Sequence, residues 1–328
     1  LLAGLEGAVS ALPALPPLWW AVYLAGLYCF ASGRRLKPLT GKKVLALLAA
    51  GNILLFSALP GQGGGKLSLT FLDVGQGMAI HLATPAGRHV LIDAGSNTDK
   101  NVGENILLPY LRRQRAKRAE LIILTHPHTD HYSGIPAIAA ALPVGALLNN
   151  GQHEGTETYD RLLDLLAERN VPVYTVTAGW KLSLDGVQIR FLSPPAAYLR
   201  GTGDDLNNNS LVLLVSYGDF SCLVTGDAEA AAMAGVERAW EGGRTVQVLQ
   251  VPHHGSRAAL SASFLACTGA EAAIISVGKN NFGHPHAETL ELLSTAGLLV
   301  YRTDLHGAVT VTSDGKSWHC RPFLAGTD

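Results

Sequence analysis

Four metal-capable side chains fall inside the run Thr125-His126-Pro127-His128-Thr129-Asp130-His131. The pattern is H-x-H-x-D-H. It follows a short apolar run, Leu121 to Leu124, that reads as a buried strand. A strand ending this way delivers imidazoles and a carboxylate into one small volume, a set that suits zinc, manganese or iron. His126 and His128 can serve one ion, Asp130 and His131 a second. A lone H-x-H would be weak evidence. A solvated, histidine-rich loop is the alternative here, but packing alone rarely crowds four ligand-type residues onto one strand end.

The chain has 328 residues, enough for one large domain or two smaller ones. Hydrophobic residues make up 48% and charged residues 16%, a tilt that comes largely from the front of the chain. A formal net charge of −1 excludes a global basic field, so any case for nucleic acid rests on local patches. Cys29, Cys222, Cys267 and Cys320 are scattered, form no C-x-x-C and suggest no disulfide framework. The first residue is Leu1 rather than Met, so the sequence reads as a fragment of something longer.

Two apolar runs precede the metal-type motifs. Leu18 to Ala31 carries Trp19, Trp20, Tyr23 and Tyr28, which suit an interfacial belt. Val44 to Leu59 is broken by Asn52. Each run is somewhat short, but with the preceding Ala/Leu/Pro stretch the first can approach the roughly 20 residues that a membrane span needs, and two transmembrane helices are expected within residues 1–60. Buried soluble helices are the alternative reading. Arg34, Arg35, Lys37, Lys42 and Lys43 lie between the runs, and a short basic loop (33–43) prefers the cytoplasm. Everything after the second helix is then expected outside the membrane. The glycine-rich stretch 61–65 is a linker and a domain boundary.

Residues 66–328 read as a single α/β domain. Strands are expected at Leu67 to Asp73, Met78 to Thr84, His89 to Asp93 and Leu121 to Leu124, with a helix at Asn101 to Arg115. Helices and strands alternate to Val176, and a second β-rich block follows. Asp185-Gly186, Gly218-Asp219 and Asp314-Gly315 are hairpin turns. Two β-rich blocks, each with helices, fit a four-layer αββα sandwich.

Further ligand types stand at later strand ends. Ser221 to Thr225 leads into Gly226-Asp227, where a carboxylate can bridge two ions or simply cap the following helix. Val246 to Val251 leads into Pro252-His253-His254-Gly255-Ser256, and one of those histidines can complete the second ion. A third cluster, Asn281-Phe282-Gly283-His284-Pro285-His286, precedes the helix Ala287 to Ala296; His286 either faces an anion there or only starts the helix. Asp73 and Asp93 are candidates to orient a ligand histidine, with turn roles as the alternative, and Asp304 is another supporting candidate. Arg112, Arg113, Arg115, Lys117 and Arg118 form a basic cluster ahead of the motif that can track a phosphate backbone or be a solvated face.

Taken together, these segments resemble the metallo-β-lactamase fold. More narrowly, they resemble the C-terminal domain of the ComEC family of DNA-internalisation competence proteins. The matching segments are Phe71 to Gly77, Leu91 to Gly95, His126 to His131, Leu223 to Glu229, Val251 to Ser256, Gly283 to His286 and Tyr301 to Asp304. They follow the family's order from Lys66 to about Phe323, and the apolar front resembles the end of its transmembrane region.

The resemblance implies two divalent ions, manganese or zinc. His126 and His128 would bind the first, Asp130, His131 and His254 the second, with Asp227 bridging. Asp130, His253 and His286 would take part in the chemistry, the two histidines by contacting phosphate or moving protons. It also implies a deoxyribonuclease domain on the periplasmic or extracellular side of the bacterial inner membrane. Its substrate would be the non-transported strand of incoming DNA, and its partners the uptake machinery and the membrane. A different phosphodiester or ester substrate, or a non-catalytic DNA-docking module, are the competing functions.

One departure stands out. Many hydrolases of the fold supply another histidine between the H-x-H-x-D-H motif and the bridging aspartate. Here only His153 lies in that interval, and Asn207-Asn208-Asn209-Ser210 stands where that ligand is expected, with Asn207 or Asn209 as its substitute. An amide is a poorer ligand than imidazole, which favours weaker binding or manganese over zinc. Met78 occupies a position that is acidic in some relatives.

Overall fold

A computed structural model describes residues 65–240, 245–257 and 259–324. The expected membrane helices lie outside the described residues. Among the described residues no helix is long and apolar enough to cross a membrane.

The strands form two sheets. The first has the order β15-β14-β1-β2-β3-β4-β5-β6, from β1 (Leu67–Phe71), β2 (Ala79–Ala83), β3 (His89–Ala94), β4 (Leu121–Ile123), β5 (Leu147–Asn149), β6 (Val173–Thr175), β14 (Val309–Ser313) and β15 (Trp318–Pro322). The second has the order β13-β12-β11-β10-β9-β8-β7, from β7 (Lys181–Leu184), β8 (Val187–Ser193), β9 (Val212–Tyr217), β10 (Phe220–Val224), β11 (Val248–Gln250), β12 (Ala272–Ile275) and β13 (Leu299–Arg302).

Period-two patterning makes this a four-layer molecule. On β3, Val90 and Ile92 enter the core between the sheets while Leu91 faces helices. On β9, Leu213 and Val215 point inward, and Val212 and Leu214 point outward. The middle core also holds Leu69, Ile80, Phe191 and Val224. The helices Leu108–Arg113, Ile135–Ala141 and Glu157–Glu168 cover the first sheet through residues such as Leu111, Ile138 and Leu162. The helices Ala230–Ala239, Ala262–Thr268 and Ala287–Thr295 cover the second through Met233, Phe264 and Leu293. Asp185 and Gly186 both have positive φ (53° and 83°), as a two-residue hairpin between β7 and β8 requires.

In both sheets a parallel run occupies one side out to the edge strand: β3 to β6 in the first, and β10 to β13 in the second. Parallel strands end at a common edge, where α/β folds keep their sites. The H-x-H-x-D-H run follows β4 there. The basic cluster precedes β4, with Arg118 paired to Glu120 at 3.2 Å, so the strand carries it to the opposite end of the sheet. Eight residues of extended chain separate Arg118 from His126, up to about 26 Å. The cluster's closeness to the motif in sequence is therefore not closeness in space, and none of its residues lines the site cleft.

A buried histidine pair stands apart from that edge. His81 is 2% exposed on β2; its Nε2 meets His89 Nδ1 at 2.9 Å, and its Nδ1 meets the Tyr110 hydroxyl at 3.0 Å. Burial first, and then the charge of His89, push the His81 pKa down to about 3. The unfolded chain therefore binds a proton near pH 6.5 that the native state refuses until about pH 3. His81 leaves stability undiminished above pH 6.5 and costs it progressively as pH falls through that window, with a slope approaching about 1.4 kcal/mol per pH unit. Urea unfolding between pH 7 and 4 should show this loss, and a shallower slope for His81→Phe. Equal slopes would contradict it.

Candidate metal centre

The motif loop sits against the end of β3 because glycines allow it. A Cβ at Gly95 would strike the Asp130 backbone and meet His131 N at 2.5 Å; one at Gly77 would meet Gly95 O at 2.5 Å and Asp130 O at 2.7 Å. Across the site, Leu211 N donates to Thr125 O at 2.9 Å, tying the second sheet to the motif. Gln250, buried at the end of β11, accepts from Thr225 N and Gly226 N at 2.7 and 2.9 Å, and its amide donates to Gly226 O at 3.3 Å. These bonds hold the turn that presents Asp227.

Asp93 is fully buried at the end of β3. Its carboxylate accepts from Thr125 N at 2.7 Å and from the Thr125 hydroxyl at 2.6 Å, and lies 2.6 Å from His131 Nδ1. Facing a carboxylate, His131 Nδ1 carries the proton. His254 Nδ1 lies 2.8 Å from Ser276 O, which only accepts, so it carries a proton too. The Thr125 hydroxyl spends its hydrogen on Asp93, so it accepts from His126 Nδ1 at 3.1 Å. In the neutral rings, all three Nε2 atoms then bear lone pairs.

Those lone pairs converge. His131 Nε2 lies 3.2 Å from Asp227 Oδ1; His254 Nε2 lies 3.3 Å from Asp130 Oδ2 and 3.4 Å from Asp227 Oδ2. One ligand atom from each of the four residues falls within 4.8 Å of all the others. His131 Nε2, His254 Nε2 and Asp227 Oδ1 are buried without a hydrogen-bond partner. Ligands about 2.1 Å from a tetrahedral ion stand about 3.4 Å from one another, the spacing found here. Orphaned acceptors at that separation fit a divalent cation, and these residues can hold one.

Electrostatics point the same way. Burial opposes charge on every member, yet the mutual field overrides it. Asp227 and Asp93 hold the His131 pKa well above its ordinary value; Asp227 and Asp130 push His254 up to about 10. Burial alone would raise Asp227 and Asp130, but His254 and His131 carry both below the usual carboxylate range. The cluster demands positive charge, which protons or a metal can supply, and metal uptake would release those protons.

His126 and His128 form a second, smaller group. His126 Nε2 stands 3.0 Å from His128 Nδ1. Among the described residues no further histidine, cysteine or carboxylate joins this pair within 4.8 Å to form a set of three. The asparagine run shows which amide faces them. Asn209 spends its side chain on Leu199 N, Leu199 O and Asp205 O, and Asn208 on Ala232 N, Asp204 O and Glu229. Asn207 lines the cleft with His128 and Asp227, its Oδ1 buried and unpartnered.

Other sequence candidates divide. His253 turns toward Glu229, with Nδ1 at 3.0 Å from Oε1, and stands 3.8 Å from Asp227. Burial works against its protonation, but Glu229 and Asp227 prevail and raise its pKa. His286 immediately precedes the helix Ala287–Thr295 and lines the cleft, its Nδ1 accepting from Arg257 N at 3.3 Å. Asp73 is exposed and accepts from Gly75 N, a turn role. Asp304 pairs with Arg302 at 2.6 Å, and His153 with Asp160 at 2.7 Å; neither lines the cleft. Met78 is buried in the middle core.

The cleft above the ligands holds about 590 Å³ and is also lined by Gln76, Glu154, Arg257, Phe282 and His284. Sequence reasoning passed over His284, whose Nδ1 is buried and unpartnered. The G-H-P-H spelling flagged its neighbourhood but not which ring turns inward. Backbone strain gathers here too. Asp93, His253 and His254 (φ 54°, 48° and 53°) are half of the six non-glycine residues with positive φ among the described residues. Each such position costs about 1–3 kcal/mol, and strain of that kind collects at functional sites.

Comparison with known proteins places the site in context. Residues 72–279 match the family model described as the metallo-beta-lactamase superfamily. The chain is 30% identical over 252 residues to ComE operon protein 3 of Bacillus subtilis (strain 168), covering 73% of this chain and 32% of that protein. It is 31% identical over 306 residues to competence protein ComA of Neisseria gonorrhoeae, covering 93% and 39% respectively. It is 34% identical over 242 residues to recombination protein 2 of Haemophilus influenzae, covering 73% and 28%. The chain thus spans about a third of the length of these curated relatives. Among solved structures, the metallo-beta-lactamase fold protein YhfI from Bacillus subtilis aligns with a TM-score of 0.51 at 12% identity, over 75% of this chain and all (100%) of that one. That likeness concerns the fold.

Asp93 sets the tautomer of His131, so Asp93→Asn should weaken divalent-metal affinity by about 10- to 100-fold while the protein still folds. Titration with Mn²⁺, followed by calorimetry alongside circular dichroism, reads both. Unchanged affinity would mean that Asp93 does not govern the ligand.

Proposed function

Because the chain belongs to the metallo-beta-lactamase superfamily, we propose that its buried histidine–aspartate centre binds two divalent ions and hydrolyses phosphodiester bonds of DNA. The observation that carries this reading is the convergence of orphaned His131, His254 and Asp227 atoms beside the His126–His128 pair. Similarity to competence proteins supports DNA as the substrate class. In this reading the domain serves a DNA-uptake protein of the bacterial inner membrane, works outside that membrane, and degrades the strand that does not enter. The basic loop 33–43 supports that orientation.

Each residue then has a task. Asp130, His131 and His254 would hold one ion, and His126, His128 and the Asn207 side-chain oxygen the other, with Asp227 available to both. An amide oxygen in place of an imidazole favours manganese over zinc. Bound there, the ions would lower the pKa of a water toward neutrality and offset charge on the phosphoryl oxygens. His253, whose pKa Glu229 and Asp227 raise against its burial, is placed to contact a phosphate or give a proton to the departing oxygen. His286 and Arg257 stand at the cleft for the flanking phosphates. A docking module would have no need of four converging ligand side chains with orphaned buried atoms.

Incubation with single-stranded DNA and Mn²⁺ is expected to give cleavage that EDTA abolishes and that Asp227→Ala reduces on the order of 10³-fold. Bound metal without cleavage would point to another ester or to DNA docking.

A further inference from the structure

The rim of the cleft carries an aromatic group for which metal chemistry has no use. Among the described residues, the large hydrophobic side chains left exposed are Val173, Tyr174, Trp180, Phe282, Leu299, Leu305, Phe323 and Leu324, and of these only Phe282 lines the cleft. Scattered exposed apolar side chains are ordinary. Phe282 differs in place, in partner and in the stiffness of its loop.

Phe282 is 65% exposed, and its ring stacks on His284 with centroids 5.7 Å apart and planes 30° apart. His284 in turn packs edge-on against His253 at 5.2 Å. A run of rings thus leads from the exposed Phe282 through His284 to His253, whose centroid stands 6.0 Å from that of His254. The loop beneath is fixed by one side chain. Asn280 Nδ2 donates to Gly278 O and His284 O, both at 2.8 Å, and its Oδ1 accepts from Phe282 N at 3.0 Å and His284 N at 3.1 Å. Gly278 N donates to Gln76 Oε1 at 3.3 Å, anchoring the loop to the first sheet's side of the site. A pre-positioned, outward-facing ring loses little entropy when something flat settles on it.

We propose that Phe282 is a stacking platform for a nucleobase of single-stranded DNA, and so a specificity-determining residue of this site. The inference rests on the phosphodiesterase reading above and names what lies beside the reacting phosphate. Paired bases are stacked inside a duplex and would have to be extruded to reach the ring, whereas an unpaired strand offers them directly. Arg257, which lines the cleft and pairs with Glu288 at 3.5 Å, brings a positive charge for the backbone that links such bases. Stacking of this kind tolerates any base, which fits a strand of arbitrary sequence.

The test is a binding cycle on the full chain with Ca²⁺ in place of Mn²⁺. Two fluorescein-labelled probes are used: an oligothymidylate, and the same sugar–phosphate chain made wholly of abasic residues. Phe282→Ala should weaken oligothymidylate binding by about tenfold or more and leave the abasic chain unaffected, while Phe282→Trp binds oligothymidylate at least as well as the native protein. Equal weakening of both probes, or of neither, would overturn the proposal. Cleavage of oligothymidylate in Mn²⁺ is scored separately. An intact binding cycle without cleavage removes the nuclease reading and keeps the platform; cleavage with no base-dependent effect removes the platform alone.

Discussion

The site depends on one buried carboxylate. Asp93, at the end of β3, touches the Thr125 backbone, the Thr125 hydroxyl and His131 Nδ1 at 2.6–2.7 Å. Through Thr125 it also decides which nitrogen of His126 is protonated. One group from the first sheet thereby sets two imidazoles with their lone pairs facing inward. Its own desolvation is unfavourable: burial raises its pKa, and the contacts with His131 and Thr125 work against that rise. A carboxylate placed there without such partners would cost several kcal/mol.

The second sheet completes what Asp93 begins. Asp227 follows β10 and His254 follows β11, two adjacent parallel strands that end at the same edge. The order of the strands therefore does the gathering, and the sandwich core keeps the two edges in register. Gln250 clamps one turn and Ser276 O fixes the other ring. The consequence is a pocket with two anions and two imidazoles in contact and no hydrogen bonds among several of their atoms. Such an arrangement is costly for a protein alone, and it becomes economical when a cation fills it.

Much of this was legible in the sequence. The αββα layering follows from alternation along strands such as β3 and β9, and the dense spelling of His126 to His131 marks the metal-type edge. What escaped was anything set by the orientation of neighbours in one loop. Two adjacent histidines, 253 and 254, are equivalent as text, and only their unusual positive φ angles turn one to Glu229 and the other to Asp227. The same holds for His284 and His286, and for three consecutive asparagines of which only Asn207 keeps a free oxygen. The basic cluster 112–118 lies apart from the cleft for a different reason: a strand separates in space what lies close in sequence.

The account's central claim is that the four converging side chains form a metal site. Anomalous diffraction from crystals grown with Mn²⁺, measured above and below the manganese edge, tests it directly. The account predicts a peak enclosed by His131 Nε2, His254 Nε2, Asp130 and Asp227, with a second beside His126 and His128. An ordered, metal-soaked crystal with no peak among those four residues would contradict it.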